Sequence, residues 1–409
     1  MLNTLWLAFF VVSAAAALFQ WLVLHDPDVF SRVVAALFDM AALSVEIMVL
    51  LFGTLTLWLG FLRIAEAAGL VQSLARLLAP LFHRLMPEVP PGHPALGLIT
   101  MNFAANGLGL DNAATPIGLR AMHALQTLNP DPRSATNAQI LFLVLNASSL
   151  TLLPVTIFMY RAQQGAAEPA LVFLPILLAT SASTLAALIS VAVMQRLRLH
   201  DPVVLVWLAA TALGIGGLMA LLSGMGAAAI SATSSLLGNL VLVGIITLFL
   251  ACGAIKRVPV YEAFVEGAKD GFDVSKNLLP YLVAMLCAVG ALRASGVLDM
   301  ILTGIRHATL WLGLDARFVD ALPTALVKPF SGSAARAMLI ETMQHFGVDS
   351  FPALLAATVQ GSTETTFYVV AVYFGAVGIQ RVRHTIGCAL IADLAGVLAA
   401  IGVCYWFFT

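Results

Sequence analysis

The sequence predicts an all-α polytopic membrane protein built from two inverted repeats that contain discontinuous or re-entrant helices. Of the 409 residues, 61% are hydrophobic and only 10% are charged, whereas about a quarter of the residues of a soluble domain carry charge. Apolar runs long enough to cross a bilayer recur along the chain. Two other stretches are interrupted by Gly, Pro, Ser and Asn. The net charge of −1 gives no bulk attraction to nucleic acid.

The apolar runs predict about 10 membrane crossings, at about 20 residues for each crossing. The first run, residues 2–24, has no basic n-region and no small-residue cleavage site, so we expect a retained transmembrane helix and not a signal peptide. The other predicted spans are residues 43–62, 140–160, 170–194, 203–222, 236–255, 278–292, 351–374 and 386–408. Regions 94–128 and 316–346 are broken in the way that discontinuous helices are.

Two pairs of segments indicate an internal repeat. Thr115-Pro-Ile-Gly-Leu-Arg-Ala-Met122 aligns without a gap on Ser331-Gly-Ser-Ala-Ala-Arg-Ala-Met338. Further along, Asn146-Ala-Ser-Ser149 aligns on Gln360-Gly-Ser-Thr363. The same order and near-equal spacing predict two homologous halves. We therefore divide the chain into residues 1–200, a linking pair of helices at 201–258, and residues 259–409.

The basic residues predict that the second repeat is inverted relative to the first. They cluster at the end of the first half, at the start of the second half and before the last helix: Arg196, Arg198, Lys256, Arg257, Lys269, Lys276, Arg381 and Arg383. Placing these clusters in the cytoplasm satisfies the positive-inside rule. The last helix of the first half and the last helix of the second half then cross the membrane in opposite directions. Inverted repeats of this kind are typical of secondary transporters.

The segment 360–368 is unusually polar for its position inside the apolar run 351–374. It holds one Gly, six hydrogen-bonding side chains and the carboxylate of Glu364. A carboxylate at membrane depth is costly and usually faces a cavity on a transport pathway. We therefore interpret Glu364 as a functional residue on a helix face shared with Gln360, with Arg336 as the expected counter-charge. The alternative is a position near the membrane surface or a structural ion pair.

The broken regions offer a site for a polar solute. A half-helix that begins near Ser333 would direct free N–H groups at an anion or a carbonyl, and Pro116 suits the first turn of the helix in the other repeat. The alternative role of the Ser, Thr and Asn side chains is helix–helix association. The predicted solute-binding residues are Asn102, Asn106, Asn112, Thr115, Asn146, Ser148, Ser149, Lys328, Ser331, Ser333, Arg336, Gln360, Ser362, Thr363, Glu364 and Thr365.

These motifs resemble a known family. Asn106-Gly-Leu-Gly, the segment 113–122, Lys328-Pro-Phe-Ser-Gly-Ser-Ala-Ala-Arg336 and the segment 360–368 are similar to motifs of the spore maturation proteins A and B, here fused in that order. Those proteins belong to the nucleoside-recognition, or Gate, domain group, whose relatives include concentrative nucleoside transporters, the membrane part of the ferrous-iron transporter and a spore exporter of dipicolinate. The resemblance implies a multi-pass protein of the inner (cytoplasmic) membrane with two Gate-like repeats. It does not fix the substrate or transfer a role in sporulation.

Three functions are compatible with the sequence. The first is a secondary transporter or exporter of a small polar solute, neutral or anionic, coupled to protons through Glu364. The second is a non-transporting membrane scaffold in envelope or spore maturation. The third, an intramembrane hydrolase that uses Ser331 or Ser333 with His345, lacks a G-x-S-x-G elbow and is not favoured.

The sequence also bounds the ligands and partners. No G-x-x-x-x-G-K-[ST] loop for ATP occurs. The eight His are dispersed, and the four Cys show no paired spacing. We therefore expect no enzymatic activity, no cofactor, no resident metal and no nucleic-acid partner. The expected partners are the small-molecule solute and the lipid bilayer, and homo-oligomer formation stays open.

Overall fold

The computed structural model describes residues 2–108, 111–148 and 150–409. Within these ranges, the side chains of residues 2–5, 50, 51, 111–113, 274, 275, 277, 278 and 281 are not described. The described chain forms α-helices and two short 3₁₀ turns, at Pro169–Val172 and Arg317–Ala321. The helices are α1 (Leu2–Val23), α2 (Val29–Ala67), α3 (Leu70–Leu85), α4 (Pro94–Gly107), α5 (Asp111–Gln126), α6 (Asn137–Ser148), α7 (Val155–Gln163), α8 (Phe173–Gln195), α9 (Pro202–Ser223), α10 (Ala227–Ile255), α11 (Val260–Ala294), α12 (Val297–Trp311), α13 (Leu322–Val327), α14 (Gly332–Phe346), α15 (Phe351–Ser362), α16 (Thr366–Ala376) and α17 (Thr385–Phe408).

The protein is a multi-pass membrane protein. Among the described residues, six helical stretches are long and apolar enough to cross a bilayer: α1, α2, α8 with its preceding 3₁₀ turn, α9, α10 and α17. The end of α11 and α12, bent by 67°, would make a seventh. The prediction of about 10 crossings is not confirmed. Predicted spans 140–160 and 351–374 are each split, into α6 with α7 and α15 with α16.

Helices α2 and α11 pack along one another in opposite directions. Gly290 lies against Met40, and Gly267 lies against Leu59. From Gly267 to Gly290 along α11, the contacts on α2 run backwards from Leu59 to Met40, so the two helices are antiparallel. A Cβ atom on Gly267 would lie only 2.5 Å from the Cβ of Arg63, a separation too short for two carbon atoms. This glycine therefore permits the close approach of the two helices.

Helices α8 and α17 form a second antiparallel pair. The Nε2 atoms of Gln195, at the end of α8, and His384, before α17, are 3.1 Å apart. The opposite ends of the two helices both meet α10: the Leu174 N–H donates to the hydroxyl of Ser234, and the Phe407 carbonyl accepts from Ser231. Helices α6 and α15 each pack on both members of this pair.

The two halves also join through their loops. At the end of α8 that holds Gln195, the Ala135 N–H donates to the Arg381 carbonyl over 3.0 Å, which links the α5–α6 loop with the α16–α17 loop. At the other end of α8, the buried guanidinium of Arg161 donates to the Asp349 carboxylate (2.8 Å) and the Val348 carbonyl (3.0 Å). The halves therefore contact one another along the whole length of α8.

Candidate functional site at the crossing of broken helices

The interrupted helices of the two halves converge at one place. The Glu364 N–H, in the loop between α15 and α16, donates to the Ala147 carbonyl at the end of α6 over 2.8 Å. The Phe367 N–H donates to the Pro329 carbonyl between α13 and α14 over 2.9 Å. We call residues 102–106, 146–148, 328–336 and 360–366 the helix crossing. Within the described residues, these broken segments of the two halves therefore contact one another.

A chain of amides occupies the first-half side of the helix crossing. Asn106 Nδ2 donates to Asn146 Oδ1, and Asn146 Nδ2 donates to Asn102 Oδ1, both over 2.9 Å. Asn102 Nδ2 then donates to the Ala114 carbonyl over 2.7 Å. Asn102 and Asn146 are buried, whereas Asn106 is half-buried. These three predicted residues are thus brought together, and Asn106 is the member that a solute could reach.

On the second-half side, α14 begins as a capped half-helix. Ser331 is its N-cap, and the Ser331 hydroxyl accepts from the Ala334 N–H over 3.1 Å. The Ser333 hydroxyl lies 3.1 Å from that of Ser331. The predicted half-helix start is confirmed here to within one residue, because α14 begins at Gly332. The N-terminal end of α14, with its capping hydroxyls and its positive dipole end, therefore lies at the helix crossing.

Arg336 lies one turn into α14, beside the loop that carries Glu364. Its Nε atom donates to the Gly332 carbonyl over 3.1 Å. A Cβ atom on Gly332 would stand 3.7 Å from Arg336 Nη2 and 2.8 Å from the Thr365 hydroxyl oxygen. Arg336 and Thr365 are therefore neighbours across this glycine, which brings the guanidinium to the broken segment of α15 and α16.

Lys328 holds the end of α15. Its side chain is 5% exposed, and Nζ donates to the Gln360 carbonyl over 2.8 Å. A cation at the C-terminal end of a half-helix stabilises the carbonyl groups that no helical N–H satisfies. In the described part of the chain, the side-chain oxygen of Gln360 is buried without a hydrogen-bond partner. Lys328 and Gln360 thus place a cation and an unused acceptor at the helix crossing.

Two local predictions are wrong. Glu364 and Gln360 do not share a helix face, because α15 ends at Ser362 and Thr363 is extended (φ −145°, ψ 168°). Pro116 is not in the first turn of its helix, because α5 already begins at Asp111 and includes the proline. In both places the helix boundary differs from the one that the residue pattern suggested.

The remaining predicted residues divide into three groups. The hydroxyls of Ser148 and Ser362 bond to carbonyls of their own helices, Leu145 and Val359, so they satisfy the local backbone. Thr115 lies on α5 three residues before Gly118, which packs against the Tyr373 hydroxyl. Ser149 and the side chain of Asn112 lie outside the described residues.

Comparison with known proteins supports the two-part organisation. The nucleoside-recognition family, Gate, matches residues 48–163 and again residues 275–380, together more than half of the chain. The chain belongs to the Gate family. Each Gate match contains one set of helix breaks, since Ala147 falls in the first and Glu364 in the second.

Two relatives match the Gate chain over most of their own length. The chain is 46% identical over 157 residues to spore maturation protein B of Bacillus subtilis (strain 168). The aligned region covers 38% of this chain and 86% of that protein. Over 189 residues it is 35% identical to spore maturation protein A of the same organism, 46% of this chain and 93% of that protein. The resemblance to a fusion of the two is confirmed. No solved structure matches the chain.

Sequence reasoning missed two residues that contact the helix crossing. Asp393, on α17 beyond the second Gate match, is 5% exposed and accepts a hydrogen bond from the Thr366 hydroxyl over 2.7 Å. Its signal was a single acid inside the apolar run 386–408, which is costly at membrane depth. Tyr373 places its hydroxyl beside the Asn102 amide, where a Cβ atom on Gly118 would contact both. Its signal was weaker, because a lone Tyr in an apolar helix is common.

Two cavities lie away from the helix crossing. One, of about 420 Å³, opens among the loops at the Gln195 end of α8, with Asn129, Asp131 and Arg383 in its wall. The other, of about 250 Å³, lies between α2, α7 and α14 beside Glu46, Gln163 and Gln344. No cluster of His, Cys, Asp and Glu suited to a metal ion occurs among the described residues.

Proposed function

We propose that this Gate protein is a secondary transporter or exporter of a small polar solute in the inner membrane, and that the helix crossing binds the solute. The observation that carries the proposal is the direct contact between the helix breaks of the two halves, the Glu364 N–H on the Ala147 carbonyl. Secondary transporters bind their substrates where discontinuous helices of two repeats meet. Irregular backbone at this depth is tolerated only where protein or a water-filled cavity surrounds it.

The packing of the long helices supports an inverted repeat. In both pairs of equivalent helices, α2 with α11 and α8 with α17, the partners are antiparallel. A two-fold axis that relates antiparallel membrane helices lies in the membrane plane, as alternating access by rocking repeats requires. Arg196, Arg381 and Arg383 lie together at the Gln195 end of α8. The positive-inside rule puts this end in the cytoplasm.

The chemistry of the helix crossing suits a solute with both hydrogen-bonding groups and a negative or carbonyl group. Amides such as that of Asn106 pair with the polar edges of a ring or with hydroxyls. Arg336 beside the start of α14 suits a carboxylate or phosphate. Because the family description names nucleoside recognition, nucleosides and their phosphorylated forms are the first solutes to test. We propose no enzymatic activity, and Glu364 is the proposed site of proton coupling.

The test is binding and uptake by the purified protein. Proteoliposomes are supplied with radiolabelled nucleosides, nucleotides and small carboxylates, and uptake is compared with protein-free vesicles. We expect one class to accumulate, with binding weakened in Arg336→Gln and less so in Arg336→Lys if that class is anionic. Failure of every class to bind or to move would overturn the transport proposal. Equal binding of an anion by the parent and both variants would overturn the role of Arg336 alone.

A second candidate, a scaffold that does not transport, is favoured by the names of the two relatives, which refer to spore maturation. It predicts that cells lacking the protein are rescued by variants that cannot bind solute. The transporter predicts the opposite. Rescue of a deletion strain by a binding-deficient Arg336→Gln protein, expressed at the parental level, would therefore select the scaffold.

A further inference from the structure

Asp393 is a buried acid whose hydrogen bonding is incomplete. Its Oδ2 atom accepts from the Thr366 hydroxyl, but Oδ1 has no hydrogen-bond partner within the ranges that the structure describes. One turn further along α17, Gly396 is contacted by Thr363 and by Ser183 of α8, whose hydroxyl is also buried without a partner. The face of α17 that carries Asp393 therefore packs closely on α8 and on the break after α15.

The groups around Asp393 do not satisfy an ionised carboxylate. Within the described chain, the charged groups that act on its carboxyl are Lys328 and Glu364. The Lys328 ammonium also donates to the Gln360 carbonyl at the end of α15. Among the described residues, an ionised Asp393 carboxylate would hold its charge at a buried position where Oδ1 has no hydrogen-bond donor. A buried charge without a partner costs several kcal/mol, so such a group is usually neutralised.

We propose that Asp393 is a proton-binding site of the helix crossing. A proton taken from solvent binds Oδ1, and the carboxyl becomes neutral. Release returns the same proton to solvent and leaves an ionised carboxylate that needs a new donor or cation. Release is therefore tied to a rearrangement of the break between α15 and α16, because Thr366, the bonded donor, lies at the start of α16.

This site is distinct from Glu364 in its surroundings. Glu364 is half-buried in a loop, whereas Asp393 is fixed on a regular helix that packs on α6, α8, α15 and α16. The proposal does not rest on transport, because proton binding by Asp393 is an equilibrium property of the folded protein. It can fail while transport succeeds, and it can hold in a protein that moves nothing.

Infrared difference spectroscopy of the full chain in lipid nanodiscs tests the proposal. A protonated carboxyl has a C=O band that an ionised one lacks, and spectra are recorded from about pH 4 to about pH 10, a range that spans the ordinary carboxyl pKa values and well above them. We expect one titrating band to be lost in Asp393→Asn and kept in Glu364→Gln. The exposed Asp315→Asn is the matched control and keeps the band.

A second variant guards against misfolding of Asp393→Asn. Thr366→Val keeps the acid but removes the hydroxyl that bonds its C=O oxygen, so the band should remain and move to higher frequency. Replacing potassium by sodium should leave the titration unchanged. A band that persists in Asp393→Asn, is insensitive to Thr366→Val, or is abolished by sodium alone would overturn the proposal, as would the absence of any titrating band.

Discussion

The Glu364 N–H and the Ala147 carbonyl oxygen, 2.8 Å apart, connect the two Gate matches at their helix breaks. Each partner lies at the end of a helix that stops inside the protein, α15 or α6, where backbone groups have no helical partner. Each half therefore satisfies part of the other's broken backbone. A rocking motion of one half against the other would have to break or replace this bond, which makes the helix crossing the natural place for a change of state.

The amide chain should contribute to stability as well as to binding. Asn146→Ala leaves the half-buried Asn106 amide without its acceptor and the buried Asn102 oxygen without its donor. An unsatisfied buried group costs about 1–3 kcal/mol, so we expect a lower midpoint of thermal unfolding in detergent. Asn137→Ala is the control, because the half-buried Asn137 donates only to the exposed carboxylate of Glu88 through its side-chain amide. Equal midpoints for the two variants would show that the chain of amides adds no stability.

Lys328→Met should destabilise the end of α15. The substitution keeps a long apolar stem but removes the ammonium that bonds the Gln360 carbonyl, at an expected cost of about 1–3 kcal/mol. Lys276→Met is the control, because Lys276 pairs with Asp273 at the surface over 3.4 Å and exposed pairs contribute less than about 1 kcal/mol. Thermal unfolding of both variants checks this difference.

The same substitution also probes coupling to Asp393. Because Lys328 acts electrostatically on the Asp393 carboxyl, the loss in Lys328→Met with Asp393→Asn should be smaller than the sum of the two single losses. Additive losses would contradict an interaction between these two residues.

The features of the helix crossing that depend on neighbouring residues could be predicted from the sequence, whereas those that depend on contacts distant along the chain could not. The capped start of α14 was predictable, because Ser331 followed by a helical pattern is a local signal. The exact ends of α15 and α5 were not, since tertiary contacts such as the Phe367 bond to Pro329 decide where the helix stops. The convergence of the breaks was predictable only through the internal repeat.

Asp393 shows a different limit. Its burial cost was visible as a lone acid in an apolar run, but its partner Thr366 is 27 residues away. No pattern within α17 indicates which helix supplies that hydroxyl. The same holds for Arg161, whose guanidinium donates two hydrogen bonds to the α14–α15 loop of the other half. Side-chain partners that cross the repeat interface depend on the packing of helices and not on local sequence.

Cysteine labelling should reveal the inverted topology. In a background without the native Cys252, Cys287, Cys388 and Cys404, single cysteines replace Pro132 and Arg381 at one end of α8, and Ala167 and His345 at the other. All four positions are exposed. We expect an impermeant maleimide added to intact cells to label the second pair only, because the positive-inside rule assigns the basic end to the cytoplasm. Labelling of one member from each pair would contradict the inverted repeat.

Glu364→Gln should separate solute binding from coupling. The amide keeps the size and much of the hydrogen bonding of the carboxyl but cannot titrate, and the Glu364 main-chain bond to Ala147 does not involve the side chain. We therefore expect the variant to fold and to exchange solute across proteoliposome membranes, but to lose accumulation driven by a pH gradient. The matched residue of the first repeat, Leu150, carries no charge, so the other half offers no substitute.

The measurement is uptake of the identified solute with and without an imposed pH gradient, for the parent, Glu364→Gln and the surface control Glu262→Gln. Glu262 lies exposed in the first turn of α11 and should leave both modes of uptake at the parental level. Loss of exchange as well as accumulation would assign Glu364 to solute binding. Gradient-driven uptake at the parental rate in Glu364→Gln would place coupling elsewhere. Asp393, the other carboxyl at the helix crossing, is then the residue to replace in the same assay.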